Sequence, residues 1–251
     1  MNQLTLPLAV AFLYFIGSMG GWVLEFFFRN LISHKGPKGR YFINPGFCKG
    51  PWLPIYGIGL SVMCILSVFV YENLDPSFVN SIAGDIVVIL IMGLVMNLIE
   101  FTGGLILLKG FNMRLWDYRQ MPGNFMGIVC PQFALIWTAI AAIYYLFIHE
   151  ISIDNLIWFS QHLTYAFFVG LFFGFFIMDL WTAFIDASMI KAFADDHDVV
   201  VKYEDLKAAM QTKLMETDQK QHFFNQILIR GIDINTSLED CTDAMEKKQG
   251  Q

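Results

Sequence analysis

Three carboxylates stand inside apolar stretches of this 251-residue chain: Glu25, Glu100 and Asp179. An ionised carboxylate in hydrocarbon costs roughly 2.5 to 3.5 kcal/mol on insertion scales, so each is expected to face the interior of a helical bundle, a basic partner or water. Acids held there can bind a proton, a cation or the positive part of a substrate. Residues able to help follow two of them: Arg40 and Asn44 after Glu25, and Arg114, Trp116, Asp117, Tyr118 and Asn124 after Glu100. Two arrangements fit. In one, the three acids line a polar vestibule open to the cytoplasm. In the other, Glu25 pairs with Arg40 and Glu100 with Arg114, tying loop to helix. Glu100 lies deeper in its stretch and points to the first; Glu25 lies within about a turn of the interface and fits either.

The elements that must position these groups are membrane helices. The chain is 56% hydrophobic and 16% aromatic but only 15% charged, against about 25% charged for soluble domains. Five runs approach the roughly 20 apolar residues that a bilayer-spanning helix needs. They lie near Leu4 to Phe28, Trp52 to Tyr71, Gly84 to Leu108, Asn124 to Ile148 and Ile157 to Phe184. The first has no basic n-region and no clear cleavage site, so it is expected to stay as a helix. Of the 16 Lys and Arg, five lie in the first connection, three in the third and eight from Lys191 onward, while the second and fourth connections carry acids. The positive-inside rule then sets the N-terminus outside and the C-terminus in the cytoplasm.

Glu25, Glu100 and Asp179 are 75 and 79 residues apart. After each of the first two comes an Arg at a similar distance, then a turn with Pro, Gly and Asn, then a Pro-led helix. This predicts an all-α polytopic protein: two parallel helix-hairpin repeats, a fifth helix and a cytoplasmic helical tail. The division falls at residues 1–185 for the transmembrane part and 186–251 for an acidic tail with 13 acids and 8 bases. In the tail, Val199, Tyr203, Leu206, Met210 and Leu214 have helical spacing, and Phe223, Phe224, Ile227 and Leu228 suggest a second helix. Either a partner or the protein's own loops would take that apolar face. The first connection repeats Pro and Gly from Asn44 to Gly57, which predicts a broken entry to the second span, tolerable only where protein or water covers the backbone. In the third, Arg114 to Arg119 could hold an anionic head group or form an aromatic anchor. Gly170-x-x-x-Gly174, Gly20-Gly21 and Gly103-Gly104 would allow close helix approach, more readily within the bundle than in a homo-oligomer.

Gly21-Trp22-x-x-Glu25, Asn44-x-Gly46-Phe47, Gly50-Pro51-Trp52-x-Pro54-Ile55-Tyr56-Gly57, Glu100-x-Thr102-Gly103, Trp116-Asp117-Tyr118 and Asn124-x-x-Gly127-x-x-Cys130 together resemble the ABC-transporter type IV membrane family, the CmpB-like permeases, over about residues 17–137. The resemblance implies a multi-pass permease of the bacterial inner membrane. Pro45 and Arg119 depart from its pattern, and nothing is carried over for the fifth span or the tail. No G-x-x-x-x-G-K-[ST] occurs, so ATP-driven transport would need a separate ATPase subunit, docked on the cytoplasmic loops or the tail. The function expected is movement of a small solute. One alternative is a membrane enzyme in which Arg40, Asn44, Arg114 and Asp117 clamp a lipid or isoprenoid phosphate and Glu25 or Glu100 is the base. A short stretch near Arg40 to Asn44 is similar to prolipoprotein diacylglyceryl transferases. A scaffold working through its tail is another alternative. The net charge of -6 gives no nucleic-acid footprint, the four Cys have no C-x-x-C spacing, the five His are scattered, and no cofactor motif is present.

Overall fold

Proline, capping and hydrophobic length decide where the helices begin and end. In the computed structural model, which describes residues 5–31, 44–79 and 81–209, α1 (Thr5–Leu31) runs antiparallel to α2 (Pro54–Asn73), and these two make the most extensive helix pair. Pro54 opens α2 where its missing N–H is no loss. After the short α3 (Pro76–Val79), Ser81 caps α4 (Ile82–Phe111) by accepting from the Gly84 N–H at 3.1 Å. Asn112, in the left-handed conformation with φ 48°, ends α4. Pro131 opens α5 (Pro131–Ile143), which pairs with α4 as α2 does with α1. A π turn over Tyr144–Ile148 joins α5 to α6 (His149–Gln161), and a single 3-10 turn leads into α7 (Ala166–Asp196).

Five helical segments are long and apolar enough to cross a membrane, and the chain is a multi-pass membrane protein. Two boundaries differ from expectation. The fourth span is Pro131–Gln161, not Asn124 to Ile148, and the fifth starts at Leu163 rather than Ile157. Asn124 to Cys130 is loop. The stretch with His149, Glu150, Ser152 and Asp154, which reads as a polar connection, is helical because His149 and Ser152 are buried while Glu150 and Asp154 lie outside the buried core. At 1.5 Å per residue these 31 residues extend about 46 Å, so one end stands clear of a 30 Å core.

Three segments meet at one end of the bundle: the loop from Asn44 to Leu53, the loop from Asn112 to Cys130, and the chain after α7. The helix α7 passes Asp186 unbroken. Beyond it β2 (Val201–Lys202) pairs in parallel with β1 (Met113–Arg114), and residues 203–209 are helical. Phe47, Cys48, Met113, Val201, Tyr203 and Leu206 are buried together against Phe176, Ala183, Ala187 and Ile190 of α7. The apolar tail residues therefore cover the protein's own loops. Met210, Leu214 and the second predicted tail helix lie outside the described residues.

Gly57 and Gly21 let α1 and α2 approach closely: a Cβ on Gly57 would meet Ser18 Oγ, and one on Gly21 would meet the Tyr56 ring. Gly104 does the same for Ile128. A Cβ on Gly20, Gly103, Gly170 or Gly174 would meet nothing within 4 Å among the described residues, so the Gly170-x-x-x-Gly174 pair makes no close helix contact with the described bundle, unlike the expectation.

The described bases Lys49, Lys109, Arg114, Arg119, Lys191, Lys202 and Lys207 lie towards the loop end, and Glu72, Asp75 and Asp85 at the other. With Cys241 replaced by Ser, single cysteines introduced at Ser77 and His162 should react with an impermeant maleimide from outside intact cells, and one at Gln120 only after permeabilisation. The reverse pattern would invert the orientation.

Candidate functional site

The three acids separate into two environments. Asp179, half-buried on α7, accepts from the backbone N–H of Lys49 (3.1 Å to each oxygen), the N–H of Gly50 (2.9 Å) and the Trp52 indole N–H (2.8 Å). Seven residues on, and so on the same face of α7, Asp186 pairs with Lys49 Nζ at 2.7 Å. Both acids hold the first loop. Asp186 escaped sequence reading because it sits where the composition turns polar and resembles the start of a tail.

The loop so held is an irregular segment drawn into the bundle. The Leu53 N–H reaches the Ser18 carbonyl of α1 at 3.0 Å. Asn44 braces the loop from within: its amide donates to the Lys49 carbonyl at 2.6 Å, with longer bonds to Cys48 and Gly50, and its carbonyl accepts from Trp22 Nε1 at 2.6 Å. Gly46, at φ 85°, makes the turn that Leu53 packs against. From the tail, Tyr203 Oη donates to the Phe47 carbonyl at 3.3 Å, and Lys207 Nζ donates to the Gly46 and Asn44 carbonyls at 2.5 and 3.1 Å. Burial, with Asp179 nearby, pushes the Cys48 thiol up to about 12, so it is a packed thiol and not a nucleophile.

Glu25 and Glu100 belong to the other environment, between the two hairpins. Glu100 is 4% exposed. Its Oε1 accepts from Tyr118 Oη at 3.1 Å, the Trp137 indole stands beside the carboxylate, and Oε2 is buried with no well-aligned hydrogen bond among the described residues. No described Lys or Arg pairs with it; Arg114 instead donates through Nη1 to the Met126 carbonyl at 2.9 Å, so the alternative arrangement with a Glu100–Arg114 ion pair is not formed. Arg114 is taken by its own loop because Gly127, at φ 67°, turns the backbone back over the guanidinium. Glu25 accepts from Tyr56 Oη at 3.3 Å, and the Tyr56 ring lies 5.6 Å from that of the buried Trp137. Arg40 lies outside the described residues.

The second loop carries Tyr118 to Glu100. Tyr118 stacks on Phe133 with centroids 4.4 Å apart, and its N–H bonds the Gly127 carbonyl. Burial, then the Glu100 carboxylate, with smaller effects from Cys130 and Glu25, holds the Tyr118 phenol far above the usual tyrosine range, so it stays a donor. Asn124 braces this loop through the Met121 and Arg119 carbonyls and the Gly127 N–H, and Trp116 Nε1 donates to the Ile128 carbonyl. Asp117 is held by Arg119 through paired bonds and by Lys202 of the tail at 3.1 Å. The Arg119 side chain, then its backbone N–H and Lys202, keep the Asp117 carboxyl far below the usual carboxylate range against the opposing effect of burial. Chemically, then, Glu100 offers a buried acceptor oxygen under a phenol donor and beside aromatic walls. Asn44, Arg114, Trp116, Asp117 and Asn124 hold the loops in shape, and Asp179 is committed to backbone. No group of three metal-binding side chains occurs among the described residues.

Asp179→Ala should cost about 2–4 kcal/mol, since it strands three half-buried donors, and Asp179→Asn less; thermal unfolding in detergent measures both. Because the folded Asp117 binds its proton more weakly than the unfolded residue, its contribution is full above about pH 4 and is lost only as pH falls further. Asp117→Asn should therefore raise hydrogen exchange at residues 113–114 and 201–202 at neutral pH, where the wild type stays protected.

Neither the curated proteins nor the solved structures contain a match to the chain. The family model described as "Putative ABC-transporter type IV" matches residues 12–184, a stretch that takes in Glu25, both braced loops, Glu100 and Asp179. The chain belongs to that family.

Proposed function

We propose that the chain is the permease-like subunit of an inner-membrane transporter and that Glu100 binds the moving solute through a positive or hydrogen-bond-donating group. One observation carries this reading: a carboxylate oxygen buried on a membrane helix with no well-aligned hydrogen bond and no counter-charge among the described residues. A buried acceptor left in this state costs of order 1–3 kcal/mol or more, and a ligand that supplies the missing donor offsets the cost when it binds. Tyr118 fixes the carboxylate, and the walls of Trp137, Tyr56 and Phe133 suit a small solute with an apolar part. Glu25, bonded to Tyr56 on the near side, is the second carboxylate along the route.

The basic loop end is the cytoplasmic one in this reading, and the site is a vestibule entered from that side. The chain has no P-loop, so ATP-driven transport places the ATPase on a second subunit. That subunit docks on the surface built from the second loop and the tail, where Asp117, Arg119 and Lys202 meet.

Glu100→Gln should accumulate and insert like the wild type, because a neutral amide is easier to bury, and should lose solute movement in membrane vesicles by at least tenfold. Tyr118→Phe should lose less. A Glu100→Gln chain that fails to accumulate would make the residue structural, and one that transports normally would remove it from the route. Purification from native membranes should bring down a nucleotide-binding subunit whose ATP stimulates uptake; uptake without ATP or such a subunit would replace it with an ion-coupled carrier.

A further inference from the structure

A second set of buried polar side chains lies at the opposite end of the bundle, where the sequence shows only a scattered histidine. His149 is 8% exposed, and its Nδ1 stands 2.8 Å from Ser67 Oγ of α2. Ser67 Oγ also donates to the Cys64 carbonyl at 2.8 Å. A hydroxyl has one hydrogen. With that hydrogen on Cys64, Ser67 accepts from the imidazole, so Nδ1 carries the ring proton and Nε2 presents the lone pair. No described residue forms a hydrogen bond with Nε2.

Three tyrosines surround the ring. Tyr71 lies almost parallel at 5.3 Å, Tyr145 at 6.4 Å, and Tyr144 stands edge-on at 6.1 Å. Tyr144 and Tyr145 are 2% and 7% exposed; neither hydroxyl makes a well-aligned hydrogen bond among the described residues, though Ser67, Cys64 and Ser152 lie near the first and Tyr71 and Asp85 near the second. The π turn builds this group. In an α-helix residues five apart differ by about 140° around the axis. Here the His149 N–H bonds the Tyr144 carbonyl, which widens the turn and brings His149 onto the face that buries both tyrosines. The ionisable groups around it are Cys64 and Tyr71 of α2, Tyr144 and Tyr145 of the π turn, Glu150 of α6, and Asp85 of α4, which approaches Tyr145.

We propose that His149 is a proton-binding site, taking its proton on Nε2 and sharing the charge with the tyrosine faces and the Ser67 oxygen. A proton needs no volume, which suits a ring already flanked on three sides. For its use, coupling solute movement to protons, the proposal rests on the transport reading above; the binding itself does not.

Histidine NMR of the isotope-labelled full chain in lipid nanodiscs tests it between about pH 5 and 8. The His149 signal is the one missing from H149Q; if that variant does not accumulate, glutamine at His34, His162, His197 and His222 in turn assigns it by elimination. The expected result is a neutral ring protonated on Nδ1 that converts to imidazolium with a midpoint inside this range, and a several-fold shift towards the Nε2–H tautomer in Ser67→Ala. A ring in one charge state throughout overturns the proposal. Titration of His149 in a chain whose Glu100→Gln variant transports normally would overturn the Glu100 reading alone; an inert His149 with an inactive Glu100→Gln would do the reverse.

Discussion

The hold of Asp179 on the backbone of the first loop is the constraint from which the loop end is built. A membrane interior gives free backbone groups no water, so irregular chain can lie there only if protein satisfies it. The donors of this loop go to the helices: Lys49 and Gly50 to Asp179, and Leu53 to the Ser18 carbonyl. The acceptors go to side chains: the Lys49 carbonyl to Asn44, that of Phe47 to Tyr203, and that of Gly46 to Lys207. Tyr203 and Lys207 come from beyond α7, so the loop is complete only when the tail lies over it. The tail follows from the loop, and the loop from the carboxylate.

That accounting separates acids that look alike. Asp179 takes well-aligned bonds from three hydrogen donors, whereas Glu100 takes one from Tyr118 with the Trp137 indole beside it. The difference lies in what is brought to each: α7 meets a loop rich in free N–H groups, whereas Glu100 meets Tyr118 and the ring of Phe133 stacked on it. A carboxylate with every lone pair used is a fastener, and one with an oxygen to spare can still bind.

Much of this was legible in the sequence. The five spans follow from apolar length, the irregular first loop from its Pro and Gly, and the importance of Glu100 from a charge where lipid forbids one. Asn44 and Asn124 stood out beside glycines, and both brace turns at positive φ. The failures have physical causes. Hydropathy stops at His149 because it scores side chains as if solvated, whereas His149 and Ser152 are paired or bonded inside the bundle. A π turn leaves no mark in an apolar window. The alternative that paired Glu100 with Arg114 assumed that opposite charges in adjacent segments meet, but a turn through Gly127 offers Arg114 the closer Met126 carbonyl. The grouping of Glu25 with Glu100 and the isolation of Asp179 depend on tertiary packing, which spacing along one chain does not encode.

The connection between the tail and Glu100 is short in covalent terms. Lys202 grips Asp117, the next residue is Tyr118, and its hydroxyl holds the Glu100 carboxylate. Four residues earlier, Met113 pairs with Val201 in the β1–β2 ladder. A displacement of the tail therefore has little slack before it reaches the phenol, because Phe133 and the Gly127 carbonyl fix Tyr118 from the other side. Beyond Glu100 the coupling changes character. Met92, Met96, Trp137 and Ala141 fill the core between it and Tyr144, with no hydrogen-bonded chain through them. Any influence across that layer must travel by packing along α4 and α5, whose facing surfaces fit closely at Gly93 and Thr138. The molecule thus joins a polar, hydrogen-bonded cap to an apolar, packed middle, and the rigidity of that middle determines whether events at its two ends are felt by each other.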